Sequence, residues 1–188
     1  MKKGNYLLTG LTLPNGSKSD IAISDGKITE IAPNLIASDG FIKVDLAGSI
    51  ALPGLVDLHT HLREPGKEDA ETVLSGSMAA AKGGFVAISA MANTSPVADT
   101  AGVVEQVFAL GQSAGFADVF PIGAVTQGLK GENLAEIGAM ADSRARVRVF
   151  SDDGSCVFDP LVMRRALEYV KKFDGVIAQH AQDPRLTQ

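Results

Sequence analysis

Ile50-Ala51-Leu52-Pro53-Gly54-Leu55-Val56-Asp57-Leu58-His59-Thr60-His61 runs apolar for most of its length and ends on two histidines set one residue apart. An extended strand puts residues i and i+2 on one face, so both imidazoles point the same way. Two neutral imidazoles on one rigid face make half of a zinc-type site. The chain has three histidines in all, and the third, His180, closes another apolar segment, Gly175-Val176-Ile177-Ala178-Gln179. Each histidine therefore sits at the end of a predicted strand.

Upstream of this stretch, residues 1–50 read as short strands broken by turns. Tyr6–Thr9 and Leu11–Leu13 precede Pro14-Asn15-Gly16. Asp20–Ser24 alternates with period two, and Asp25-Gly26 turns it into Lys27–Ile31. Phe41–Asp45 is a further strand. This is a small β unit of about 50 residues with little core of its own, so it is expected to need further strands from elsewhere.

Downstream, over 51–188, the pattern changes to alternating strands and helices. Strands are predicted at 51–59, 84–92, 118–126, 146–152 and 175–181, with helices near 68–82, 100–115, 132–141 and 159–173. Thr100 is placed to cap the second helix, and Asp159-Pro160 opens the fourth. Repeated βα units make a parallel sheet, either doubly wound or a (β/α)₈ barrel. Polar residues gather just after strand C-termini (His61, Asn93, Asp153, His180), which is where barrel active sites lie. A whole barrel takes about 250 residues, so about four and a half βα units are expected here, an incomplete barrel.

Composition narrows the function. Hydrophobic residues make up 45% of the chain and the net charge is −5, which suits an α/β protein with a real core and argues against nucleic-acid binding. The basic pairs Lys2-Lys3 and Lys171-Lys172 read as solvated patches. A single cysteine, Cys156, excludes an intrachain disulfide and points to a reducing, cytoplasmic setting. No leader-type core follows the N-terminus and no run of 18 apolar residues suits a membrane span.

Strand parity then gathers the site. Val147, Val149, Ser151 and Asp153 share one face of 146–153, and Arg146, Arg148, Phe150 and Asp152 share the other. Unpaired arginines are costly to bury, so the first set is expected inside, with Asp153 inward at the strand end and Asp152 serving the loop. Asp57, His59 and His61 share a face of the first strand, as do Val176, Ala178 and His180 of the last. Three histidines and one aspartate converge on one mouth. Zn²⁺ accepts this N/O set, and a carboxylate can bridge two ions about 3.5–4 Å apart. Asp153 read as a turn residue in Ser151-Asp152-Asp153-Gly154 is the alternative. Asp57 reads equally as a partner for a ligating imidazole or as a buried structural aspartate.

Leu52-Pro53-Gly54-Leu55-Val56-Asp57-Leu58-His59-Thr60-His61-Leu62-Arg63-Glu64-Pro65-Gly66 resembles the signature of the cyclic amidohydrolases. His-Leu-Arg-Glu-Pro-Gly within it is similar to the class I dihydroorotases. Met91-Ala92-Asn93-Thr94-Ser95-Pro96, Ser151-Asp152-Asp153-Gly154 and Gln179-His180-Ala181 extend the resemblance along the chain. It implies an amidohydrolase-type barrel with two zinc ions, and a small β-sandwich of which residues 1–50 would be the N-terminal portion. His59 and His61 would bind one, Asp153 would bridge, and His180 would bind the other. It also implies substrate contacts from His61, Arg63 and Asn93, the last two to a free carboxylate. A guanidinium fork and an amide donor suit that task. A salt bridge of Arg63 with Glu64 or Glu68, or a turn role for Asn93, are the structural alternatives.

The implied reaction is reversible cyclisation of N-carbamoyl-L-aspartate to L-dihydroorotate in pyrimidine synthesis, by a cytoplasmic homo-oligomer that can pair with aspartate transcarbamoylase. Two departures stand out. Ala92 replaces a proline common in the family, and the family's further metal histidine and acid–base aspartate are expected beyond the chain end. A hydantoinase, dihydropyrimidinase or allantoinase is the first alternative. Those relatives usually bridge their metals through a carboxylated lysine, and no lysine lies on 146–152. A non-catalytic homologue partnering aspartate transcarbamoylase is the second.

Overall fold

Alternating side chains and two positive-φ turn residues build the N-terminal sheet. Strands β1 (Asn5–Thr12), β2 (Lys18–Ser24), β3 (Lys27–Ala32) and β4 (Phe41–Asp45) pair in the order β3-β2-β1-β4 in this computed structural model, which describes residues 4–187. Lys2-Lys3 lies outside the described residues. Asp25 and Gly26 take φ of 50° and 77°, the conformation that matches a tight hairpin to strand twist. The two short strands expected before Pro14 are one strand. The register against β2 shifts between Leu8 and Leu11, and the Asp20 carboxylate accepts the Gly10 N–H there, at 2.9 Å. The bulge absorbs the break in alternation without ending the strand. β4 runs parallel to β1, and Leu7, Leu11 and Ile21 are buried.

The chain divides into two compact units between Pro53 and Gly54. The second alternates β5 (Leu55–Thr60), α1 (Val73–Lys82), β6 (Phe85–Ala90), α2 (Ala101–Ala114), β7 (Asp118–Pro121), α3 (Ile137–Asp142), β8 (Val149–Phe150), α4 (Pro160–Val170) and β9 (Val176–Ile177). β5, β6 and β7 form one parallel sheet in that order, and β8 pairs parallel with β9. A parallel bridge from Gly123 to Phe150 links the two. The element types match the sequence pattern, and several elements are shorter than it predicts.

Local chemistry explains the shortening. α1 starts at Val73 rather than near 68, because Thr72 caps it in a reciprocal box with Ser75 and the Glu64 carboxylate takes the Val73 N–H at 2.7 Å. α3 starts at Ile137 because Asn133 and Ala135 are committed to backbone bonds with Gln127 and Val125. Most of the predicted strand 146–152 is not strand: Arg146 has φ of 51° and its N–H turns back to the Ser143 carbonyl. α4 opens as expected, with Asp159 accepting from Leu161 and Val162 and Pro160 in the first turn. Thr100 sits at the N-cap of α2 without a side-chain bond.

Two apolar clusters hold this unit. Leu62, Val73, Ile88, Val107 and Val119 pack where α1 and α2 cover β6 and β7. Ala124, Val125, Ile137, Met140, Phe150, Ala166 and Val170 form the larger one. Phe150 is fully buried there while Arg146 and Arg148 lie exposed. The face assigned to the arginines is thus mixed, with Phe150 and Asp152 supplying its buried part.

Candidate metal centre

The His-x-His pair is set by the C-terminal end of β5. His59 lies within the strand and His61 just past it. Between them, the Thr60 hydroxyl donates to the Ser89 carbonyl at 2.8 Å and the Thr60 carbonyl accepts the Met91 N–H at 2.9 Å. With the intervening residue clamped to β6, both imidazoles are held on one side, their centroids 5.2 Å apart. Asp57 uses its carboxylate on the His59 backbone N–H at 3.0 Å, so it stiffens the strand end rather than orienting an imidazole.

The three histidines meet at Asp153. Its Oδ2 lies 3.4 Å from His59 Nε2 and 3.5 Å from His61 Nε2, and its Oδ1 lies 3.2 Å from His180 Nδ1. The Asp153 side chain is 11% exposed and that of His59 51%, so the cluster has a buried floor and an open side. One donor atom each from His59, His61 and Asp153 falls within 4.8 Å of the others.

The far nitrogens are occupied as well. His61 Nδ1 donates to Asn93 Oδ1 at 3.0 Å, and His180 Nε2 donates to Gln182 Oε1 at 2.9 Å. The nitrogens that remain, His61 Nε2 and His180 Nδ1, face the Asp153 carboxylate. A cation between nitrogen and oxygen, or a proton on the ring, makes such an approach favourable. Separations of 3.2–3.5 Å exceed the roughly 2.7–2.9 Å of a charged N–H···O bond. The donor set and its amide-oriented imidazoles fit a borderline divalent cation. The bonds to Gln182 and Asp153 also raise the His180 pKa above its ordinary value.

Gln182 is the contact that sequence reading missed, although its i+2 spacing from His180 was the available signal. Asn93 reaches the site through its loop. Ser95 donates its N–H to the Pro65 carbonyl at 2.9 Å, and a Cβ at Gly66 would sit 2.2 Å from the Ser95 carbonyl oxygen. Only glycine permits that approach, which brings the Arg63 and Asn93 loops together. Arg63 has no ion pair among the described residues, while Glu64 and Glu68 spend their carboxylates on the Val73 and Gly66 N–H groups. The guanidinium is left for another partner.

Asp152 points away from the cluster. It is 1% exposed, and its Oδ1 accepts the N–H groups of Val125 and Thr126 at 2.8 and 3.0 Å. Its Oδ2 accepts the Thr126 hydroxyl. Burial pushes this carboxyl up in pKa, while the Thr126 and Val125 bonds pull it back. Beside His180, a cavity of about 360 Å³ opens between Leu129-Lys130 and Gly154–Cys156. Cys156 is a free thiol whose sulfur takes a contact from Gln179 Nε2 at 3.3 Å.

The fold is mixed α/β. It is similar to an L-hydantoinase (dihydropyrimidinase) from Arthrobacter aurescens at a TM-score of 0.76 and 18% identity, over 96% of this chain and 41% of that one. It is also similar to a solved dihydroorotase at a TM-score of 0.72 and 14% identity, over 96% of this chain and 52% of the other.

Residues 48–188 match the family described as dihydro-orotase-like, and the chain belongs to that family. The dihydroorotase of Leifsonia xyli subsp. xyli is 67% identical across 100% of this chain and 42% of its own length. The dihydroorotase of Streptomyces coelicolor is 60% identical over 97% of this chain and 42% of its own length. That of Mycobacterium tuberculosis is 54% identical over 92% and 40%. The chain spans about two fifths of the length of these relatives.

Proposed function

We propose that this chain is the metal-site-bearing part of a zinc-dependent dihydroorotase, which interconverts N-carbamoyl-L-aspartate and L-dihydroorotate. The observation that carries this is the meeting of His59, His61 and His180 on the two oxygens of one buried carboxylate, Asp153. His59, His61 and Asp153 would hold one ion, and Asp153 and His180 would share the second. When bound, zinc supplies Lewis acidity that lowers the pKa of a water and polarises a carbonyl oxygen.

The protein's own groups bind and orient. Arg63, free of Glu64 and Glu68, offers a bidentate fork to the substrate's free carboxylate. Asn93 adds a donor from Nδ2, because its Oδ1 is already on His61. His61 flanks the same space. The acid–base aspartate and a further metal histidine belong, on this reading, to the portion of the relatives that this chain does not span. General acid–base groups of that kind are worth about 10²–10⁴-fold.

The same reading makes the second unit a portion of a (β/α)₈ barrel and the first a portion of a β-sandwich. β5 stands at the edge of its sheet with Leu55, Val56 and Leu58 exposed, as expected of a strand that further elements cover. A cytoplasmic homo-oligomer, with aspartate transcarbamoylase as its protein partner, completes the reading. No helix among the described residues is long and apolar enough to cross a membrane.

The test is turnover by the intact native protein. Dihydroorotate should be opened to carbamoyl-aspartate, zinc should co-purify, and His61→Ala should abolish turnover and lower the zinc content. Turnover of hydantoin or dihydrouracil without dihydroorotate would overturn the assignment.

A further inference from the structure

We propose that Asp152 is a positioning residue that aims the Asp153 carboxylate at the histidines by locking the turn after β8 onto the segment that follows β7. This rests on the reading that the cluster holds a metal ion. Three observations carry it. Asp152 is 1% exposed, yet its carboxylate has only backbone and hydroxyl partners: the Val125 and Thr126 N–H groups and the Thr126 hydroxyl. Those partners lie 26–27 residues away, so the bonds dock the segment after β8 against the segment after β7.

The turn is also pinned on either side of Asp152. Ser151 N–H reaches the Gly123 carbonyl at 2.9 Å, Asp153 N–H reaches Ser151 Oγ at 3.1 Å, and Ser155 N–H reaches the Asp152 carbonyl at 2.7 Å. With Asp152 tied down toward Val125-Thr126, its neighbour faces the opposite side, where the histidines lie. The lock continues outward as well. Thr126 Oγ1 accepts the Gly131 N–H at 2.9 Å, which fixes the loop carrying Leu129 and Lys130 along the cavity beside His180.

A buried carboxylate used only to bind two amides and a hydroxyl is a costly way to hold a turn. Its distinguishing consequence is the direction of its neighbour. Groups that orient ligands without touching the metal typically change metal affinity by about 10–100-fold when removed.

The experiment uses the intact protein loaded with Co²⁺, comparing wild type with Asp152→Ala, Asp152→Asn and Thr126→Val. Competition with a chelator gives affinity, the visible Co²⁺ spectrum reports ligand geometry, and thermal melting of the metal-free protein reports the fold. Asp152→Ala should bind Co²⁺ about 10–100-fold more weakly with an altered spectrum. Asp152→Asn, whose amide oxygen can still accept both N–H groups, should recover most of the affinity and the wild-type spectrum.

Thr126→Val removes one arm and should give a smaller shift in the same direction, and it carries the test if Asp152→Ala does not fold. Unchanged Co²⁺ affinity and spectrum in the folded variants, whatever their melting points, would overturn the positioning role. A wild-type protein that binds no Co²⁺ or Zn²⁺ would instead overturn the metal-site reading beneath it.

Discussion

Strand β5 and the turn after β8 contribute to one cluster from opposite kinds of surroundings. Leu55, Val56 and Leu58 of β5 are 48, 56 and 73% exposed, whereas Phe150, Ser151 and Asp152 are at most 1% exposed. β5 pairs with β6 alone among the described residues, while the turn is tied to residues from 123 to 126 by backbone and side-chain bonds. The carboxylate therefore sits on a rigid floor, and two of its histidines arrive from a sheet edge. A group that must face several partners benefits most from being fixed, since each misaimed contact is lost together.

That contrast can be broken at several points. The largest effect belongs to Asp153→Ala, which removes the shared partner of all three imidazoles. Zinc measured by elemental analysis should fall to background, whereas His59→Ala, which removes one donor, should retain part of it. Phe150→Ala attacks the packed floor and should cost about 3–5 kcal/mol in denaturant unfolding of the intact protein.

Leu58→Ala sharpens the other side. Left exposed, such a change lies within about 0.5 kcal/mol. Covered by further barrel elements, as proposed, it should cost about 2 kcal/mol or more in the same assay. A near-zero value would count against barrel closure at β5. The smallest effect is that of Asp159→Ala, which removes two N-terminal hydrogen bonds from the exposed start of α4. It should cost about 1 kcal/mol and leave zinc content unchanged.

Much of the cluster was legible because period-two alternation needs no tertiary information. His59 with His61, and Asp153 against Asp152, were separated by parity alone, and the structure keeps both relations. Boundaries were less legible. Arg146 takes a positive φ that nothing in its alternating surroundings announces, and it ends a strand that the pattern would continue. Asp57 was open between two roles, and a local bond to the His59 N–H settled its use. Asn93 was read as a substrate donor, but the structure also gives its oxygen to His61, a contact 32 residues away in sequence.

From the sequence alone followed the order of βα units, the strand-end placement of the histidines, and the family resemblance. Local periodicity and short motifs encode these. The tertiary structure decided which atoms meet: Asp153 against three imidazoles, Asn93 and Gln182 behind two of them, and Asp152 against Val125 and Thr126. Parity sets the face a side chain takes. Its partner depends on how segments tens of residues apart pack, and that is fixed only when the core around Phe150 and Val125 closes.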